Sequence, residues 1–180
     1  MPAMKRNETF DASEDLVARG AGIIRAVRQN HALEHATIAI LLQRLNGRVR
    51  MMGRAGWNGF YIFGNIPTEV IEEAAHEALR RLQSGEKDLA VSPMCGTNIV
   101  VAGLAAGVAS AFAARGHRGA DRLGRILIAS TIAVLLAQPL GRLAQRYITT
   151  TTDLDDVSIG RVVRSGDMGI VRHKVEILRS

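Results

Sequence analysis

Two stretches of this chain carry no charge at all. None occurs between Asp88 and Arg115, and none between Arg125 and Arg142. The first gap contains eighteen residues, Thr97 to Ala114, of Ile, Val, Leu, Ala, Gly and one Phe, with only Thr, Asn and Ser as polar interruptions. The second holds sixteen, Ile126 to Gly141, and lengthens if Arg125 snorkels. A helix needs about 20 apolar residues to cross a bilayer, and about 17 is the lower bound. Side by side and joined by a short loop, the two segments predict a transmembrane helical hairpin rather than an Ala-rich hairpin buried in a soluble core. Gly103-Leu-Ala-Ala-Gly107 adds a GxxxG spacing, which lets helices approach closely in lipid.

The rest of the 180 residues predicts a small mixed α/β body interrupted by that hairpin. The expected division is 1–95 for an α/β body, 96–146 for the hairpin, and 147–180 for C-terminal strands packing back on the body. Asp11-Ala-Ser-Glu14 has capping-box spacing, predicting a helix from Ala12 to Arg28 with an apolar stripe of Leu16, Ile23, Ile24 and Val27. A second helix, or a continuation, runs from Asn30 to Leu45 and stops at Asn46-Gly47. Arg48–Met52 and Phe60–Phe63 read as strands around a Gly53–Gly59 turn. Pro67 opens a helix to Gln83 with an apolar face from Val70 to Leu82. Leu89-Ala-Val91 reads as a brief strand. Val157–Arg164 and Ile170–Leu178 read as a hairpin turning at Ser165-Gly166-Asp167.

The segment with chemistry in it is Asn30-His31-Ala32-Leu33-Glu34-His35-Ala36-Thr37. Histidines at i and i+4 project from one side of a helix, one turn apart, where both imidazoles reach one metal ion. Glu34 leans over the same face, which continues into Ile38, Leu42 and Leu45 and therefore points toward the core. Three buried ionisable groups need compensation, and a metal supplies it. Zinc with one open position takes three protein ligands. Cys95, in a Pro/Gly turn at the mouth of the first apolar helix, is the candidate third, since a helix N-terminus stabilises a thiolate. The other histidines point elsewhere: His76 to a solvated helix face, His117 to the Arg-rich loop, His173 to a structural place in a strand. Glu69, Glu72 and Glu73 form a solvated face, with Glu72 a remote fourth ligand.

The H-x-x-E-H order resembles the inverzincin metallopeptidases. That resemblance implies His31 and His35 as zinc ligands and Glu34 as the catalytic general base on a zinc-bound water. The downstream glutamate that completes the set in those enzymes would fall inside the first apolar segment, where no carboxylate exists, so their whole fold is not implied. A His, His, Cys set beside a helical Glu also resembles that of peptide deformylases, although their helix reads H-E-x-x-H. N-H-A-L-E-H-A-T, then G-F-Y-I-F-G-N-I-P-T-E, then P-M-C-G-T-N before paired apolar helices resemble an uncharacterised family of bacterial membrane proteins. This likeness covers about residues 25 to 150 and implies the architecture and the grouping of motifs, not a reaction.

The expectation is a multi-pass protein of the bacterial cell membrane with its body in the cytoplasm. It carries a zinc site of His31, His35 and Cys95, and acts as a peptidase-like hydrolase through Glu34. Its partners are the lipid bilayer and a peptide or lipid-linked substrate. The alternative is a non-catalytic scaffold in which metal staples body to hairpin, within a membrane complex or homo-oligomer. Nucleic acid is a poor partner: the +6 charge is scattered and no helix-turn-helix, zinc-finger or RNP pattern occurs. One cysteine excludes an intramolecular disulfide framework.

Overall fold

The computed structural model describes residues 5–116, 118–167 and 170–180. Helix α1 (Lys5–Arg44) is one continuous rod. Of the two readings the sequence left open, a second helix or a continuation past Arg28, the structure has the continuation, since no proline or capping turn interrupts 28–31. It is already helical at Lys5, which puts Asp11 inside rather than at a cap. The hairpin β1 (Met52–Gly56) and β2 (Gly59–Phe63) follows, with helix α2 (Thr68–Gln83) after it. A single turn of 3-10 helix, Lys87–Ala90, replaces the strand expected at Leu89–Val91. Helices α3 (Gly96–Ala113) and α4 (Gly119–Ala144) come next, and α4 widens into a π-helical turn at Gln145–Thr149. Strands β3 (Val157–Asp167) and β4 (Ile170–Arg179) complete the chain.

The four strands form one antiparallel sheet in the order β1-β2-β4-β3. The first hairpin turns at Trp57-Asn58, since Gly56 pairs with Gly59. The expected strand at Arg48–Met52 therefore begins four residues later, past the exposed arginines at 48 and 50. In the second hairpin Ser165 and Gly166 are paired strand residues, opposite Arg172 and Val171, so the turn falls beyond Asp167. Its turn residues, 168 and 169, lie outside the described residues.

One face of the sheet carries Phe60, Ile62, Val175 and Ile177, all buried. Against it lie Ala32, Leu33, Ala36, Ile40 and Leu41 of α1 and the apolar stripe Ile71, Ala74, Ala75, Ala78, Leu82 of α2. Small alanines on both helices let them approach each other over the larger sheet residues. A buried polar layer fixes where α1 sits along the sheet. Gln29 donates to the Asp153 carbonyl (2.9 Å) and Asp156 Oδ1 (2.8 Å), while Asn30 donates to the Gly56 carbonyl (2.6 Å). Arg179 at the end of β4 donates to Gln29 Oε1 (3.0 Å) and Asn30 Oδ1 (2.6 Å). These partners sit within one turn of His31. Of the apolar stripe, Leu16, Ile23 and Ile24 are exposed at 72%, 54% and 62%, because the body packs on α1 only from about Ala26 onward.

Helices α3 and α4 lie along each other and are long and apolar enough to cross a membrane. Only 6% of each apolar window is buried within the protein, which is not the pattern of a soluble core hairpin. Their close approach is not through the GxxxG: a Cβ on Gly103 or Gly107 would meet nothing within 4 Å. It is at Gly141, where a Cβ would overlap Asn98 Oδ1. That same oxygen accepts from Gln145 Nε2 at 2.8 Å. Gly141→Val is therefore expected to wedge α4 from α3 at a cost of about 1–3 kcal/mol. It would be read as a lowered thermal midpoint of the full chain in detergent; an unchanged midpoint would mean the helices do not depend on this contact.

Candidate metal centre

One face of α1, one turn beyond the Gln29–Asn30 anchor, presents His31, Glu34 and His35, then Ile38 and Leu42. Helical geometry sets the two imidazoles on one side, with ring centroids 4.3 Å apart. Glu34 and His35 are buried and His31 half-buried. Cys95 comes from the far side of the fold, as the N-cap residue of α3, where its Sγ accepts from the Thr97 N–H at 3.4 Å. Its Sγ is 3.3 Å from His31 Nε2, and the donor atoms of His31, His35 and Cys95 all lie within 4.8 Å of one another. Tetrahedral zinc with two imidazoles and a thiolate spaces adjacent donors by about 3.2–3.8 Å, so small side-chain rotations bring the set to a common ion.

The surroundings leave the correct lone pairs free. His31 Nδ1 donates to the Thr149 carbonyl (3.0 Å) and His35 Nδ1 to the Ala90 carbonyl (2.8 Å). A carbonyl only accepts, so each Nδ1 carries the proton and each Nε2 is left as a ligand atom, the usual support of a metal-binding histidine. Both carbonyls come from irregular backbone: Ala90 ends the 3-10 turn and Thr149 ends the π-turn, where the helix has opened and its carbonyl is free to turn inward. Cys95 is held by a buried amide clamp. Gln145 receives the Ser92 N–H (2.8 Å) and donates to the Ser92 carbonyl (3.0 Å), and Asn98 Nδ2 donates to the Pro93 carbonyl (2.9 Å).

Electrostatics follow the geometry. Burial alone would raise the Cys95 thiol, but hydrogen bonds from His31, His35 and Thr97 override it and bring the thiol down to about 5. Burial likewise opposes charge on His31, yet its contacts with Cys95 and the Thr149 carbonyl raise it above the ordinary imidazole value. Desolvation raises the Glu34 carboxyl, against the lowering pull of His35 and His31. The Glu34 carboxylate sits 4.0 Å from His31 Nε2. It lies flat on β1 because residue 53 is glycine; a Cβ there would collide with the carboxylate.

The residues therefore fit a metal ion, and His31, His35 and Cys95 could hold one while Glu34 stands beside it. Glu69, Glu72 and Glu73 are exposed on α2, Glu73 pairs with Arg44 (3.0 Å), and Glu72 is not among the donors grouped with His31, His35 and Cys95. His76 is exposed. His173 is buried in β4 opposite Ile62 and Arg164, where desolvation and Arg164 lower its pKa. His117 lies outside the described residues. Sequence reasoning missed Gly53, Asn98 and Gln145. Asn98 closes the C-G-T-N motif, and its burial at a helix start was the available signal; Gln145 gave none.

Purified protein is expected to carry one metal ion per chain, lost on His31→Ala or His35→Ala. Gln145→Ala, which removes a support and no ligand, should weaken binding about 10–100-fold. Metal analysis of dialysed protein checks both, and unaltered retention in the histidine variants would rule the site out. In metal-stripped protein the thiolate is the form favoured above the thiol pKa. Its ultraviolet absorbance should persist on acidification and fade through about pH 5, not near the ordinary value of about 8.5. His31→Ala should move that midpoint upward.

Comparison with known proteins adds a family and no activity. A domain of unknown function, DUF6391, matches residues 26–162, well over half of the chain. An uncharacterised protein of Picosynechococcus sp. is 32% identical over 170 residues, covering 86% of this chain and 80% of the relative. No solved structure matches. The match runs from the α1 segment that carries the histidines through Cys95, both apolar helices and into β3, and the chain belongs to the DUF6391 family.

Proposed function

We propose that this protein is a membrane-anchored, zinc-dependent hydrolase acting on amide bonds, with Glu34 as its general base. The observation that carries the reading is the place of Glu34. It is buried beside a three-donor set, yet it lines a cleft of about 950 Å³ together with His31, His35 and Cys95. A purely structural zinc site is closed by four protein ligands, whereas this set offers three, with Glu34 facing the cleft beside them. Zinc is favoured by the mixed imidazole and thiolate donors. The membrane reading rests on the unburied apolar surface of α3 and α4.

When bound, zinc supplies polarisation of a carbonyl and a lowered pKa for water. The chain supplies the rest. The thiolate of Cys95 and the Nε2 atoms of His31 and His35 hold the ion, and the Thr149 and Ala90 carbonyls fix the ring orientations. Glu34 takes a proton from the attacking water as the carbon–oxygen bond forms. It returns that proton to the leaving nitrogen as the carbon–nitrogen bond breaks, so the step is balanced without oxidant or reductant. Burial, which raises the Glu34 carboxyl, suits a group that must both accept and release a proton.

Glu34→Gln is expected to retain metal and fold while lowering hydrolysis of quenched-fluorescent peptides about 10²–10⁴-fold. Gly53→Ala should retain metal too and lower the rate by displacing the carboxylate. Full-length protein in detergent, with metal content measured on the same samples, checks both. Turnover that survives Glu34→Gln unchanged would remove the general base and favour the scaffold.

A further inference from the structure

The cleft beside the metal centre extends well past it. About 950 Å³ is near the upper end of small-molecule sites, which run about 300–1,000 Å³, and far exceeds what an ion and a water occupy. Its walls say what it takes. Val49 to Ala55 line it in an unbroken run of seven residues, the last four of them in β1. Successive strand side chains point to opposite faces, so a wall made of consecutive residues is the edge of the strand rather than either face. β1 is the outermost strand of the sheet, paired only with β2, and among the described residues no strand lies on its other edge. That edge offers backbone donors and acceptors along about 17 Å, opposite Glu34.

The other surfaces are apolar. Ile38 and Leu42 of α1 and Val49 continue the wall away from the metal. Met94 and Ile99, exposed at 80% and 75%, carry the cleft to the base of α3, the helix long enough to enter a membrane. Charge at the cleft is one-sided. Arg50 and Arg54 line it and form no ion pair among the described residues, while Glu34 is the lone carboxylate in its lining and is turned to the metal centre.

We propose that this cleft binds an extended, apolar peptide segment with an acidic flank, taken up from the membrane surface as an added strand on the free edge of β1. Strand addition gives affinity through main-chain hydrogen bonds and specificity through alternate side chains. Here the Ile38, Leu42 and Val49 surface receives alternate apolar side chains, and Arg50 and Arg54 receive the carboxylates. An acyl chain would suit the apolar wall, and an anionic headgroup the two arginines, but neither has a use for a strand edge. The proposal rests on the hydrolase reading only for what becomes of the peptide, not for its binding.

The test uses zinc-loaded, full-length Glu34→Gln protein in detergent, so that binding is read without cleavage. The probe is a fluorescent decapeptide of Leu, Val and Ala with Asp near one end, followed by anisotropy. N-methylation of alternate amides is expected to weaken binding about tenfold or more, and methylation of the intervening ones to leave it unchanged. Arg50→Glu with Arg54→Glu should weaken the acidic probe more than an uncharged one, and Leu42→Trp should weaken both while metal content stays constant. Binding that is indifferent to N-methylation, or that palmitate displaces and unlabelled peptide does not, overturns the proposal. Alternation in binding without any turnover by the unmutated protein would sustain the strand site and sink the hydrolase. Turnover without alternation would do the reverse.

Discussion

Two imidazoles, a carboxylate and a thiol cannot be buried together without compensation, and most of the irregular features of this chain supply it. Each imidazole gives its Nδ1 proton to a backbone carbonyl, one from Ala90 and one from Thr149. Those carbonyls are free only because the chain leaves α-helical geometry at both places, in a 3-10 turn and in a π-turn. The thiol is carried by a loop whose own backbone groups are satisfied by Asn98 and Gln145. The clamp reaches both apolar helices, since Asn98 belongs to α3 and Gln145 follows α4. The α/β body and the apolar hairpin are thus tied through the groups that orient the candidate metal donors. A change in the relative position of the hairpin would be felt at His31 and Cys95 before it was felt in the core.

The sequence made some of this legible and hid the rest for physical reasons. Charge-free runs are detectable because a bilayer-length apolar helix needs every residue to comply, and both helices lie where those runs lie. The pairing of His31 with His35 is local, one helical turn, so spacing alone conveys it. Cys95 was within reach only because a cysteine in a Pro/Gly turn before a helix is chemically unusual. Short strands fared worse. Arg48–Met52 and Met52–Gly56 have similar polarity, and the register is decided by the two-residue turn at Trp57-Asn58, which composition does not single out. The exposed stripe of Leu16, Ile23 and Ile24 shows the limit of periodicity: it tells which face is apolar, not whether anything covers it.

Gly53 and Gly141 illustrate what a single sequence conceals. Neither sits at a turn, and neither needs an unusual backbone angle. Each is small because something else must occupy the space of its side chain, the Glu34 carboxylate in one case and Asn98 Oδ1 in the other. One contact sets the Glu34 carboxylate against the strand, and the other sets the two apolar helices against each other. No local signal marks either, because the partner lies 19 or 43 positions away in the chain.

The opposition between a catalytic and a stapling metal turns on what the fourth coordination direction faces. Stapling explains the His31, His35 and Cys95 set equally well, since those residues join α1 to the start of α3. It does not explain why Glu34 should be buried at some cost among apolar residues of the same face. Nor does it explain why glycine should stand at 53, where alanine would pack better were the carboxylate absent. A staple is also best served by a filled, dry surround, whereas this centre opens on a long cleft whose strand edge has no further strand, and whose two arginines have no ion pair, among the described residues. An exposed edge invites aggregation unless it is covered or blunted. Arg54 blunts this one at one position, and the cleft leaves the remainder open beside Glu34. On the proposed hydrolase reading, the cost of keeping both a buried carboxylate and an open edge at one place is recovered when a peptide binds there and reacts.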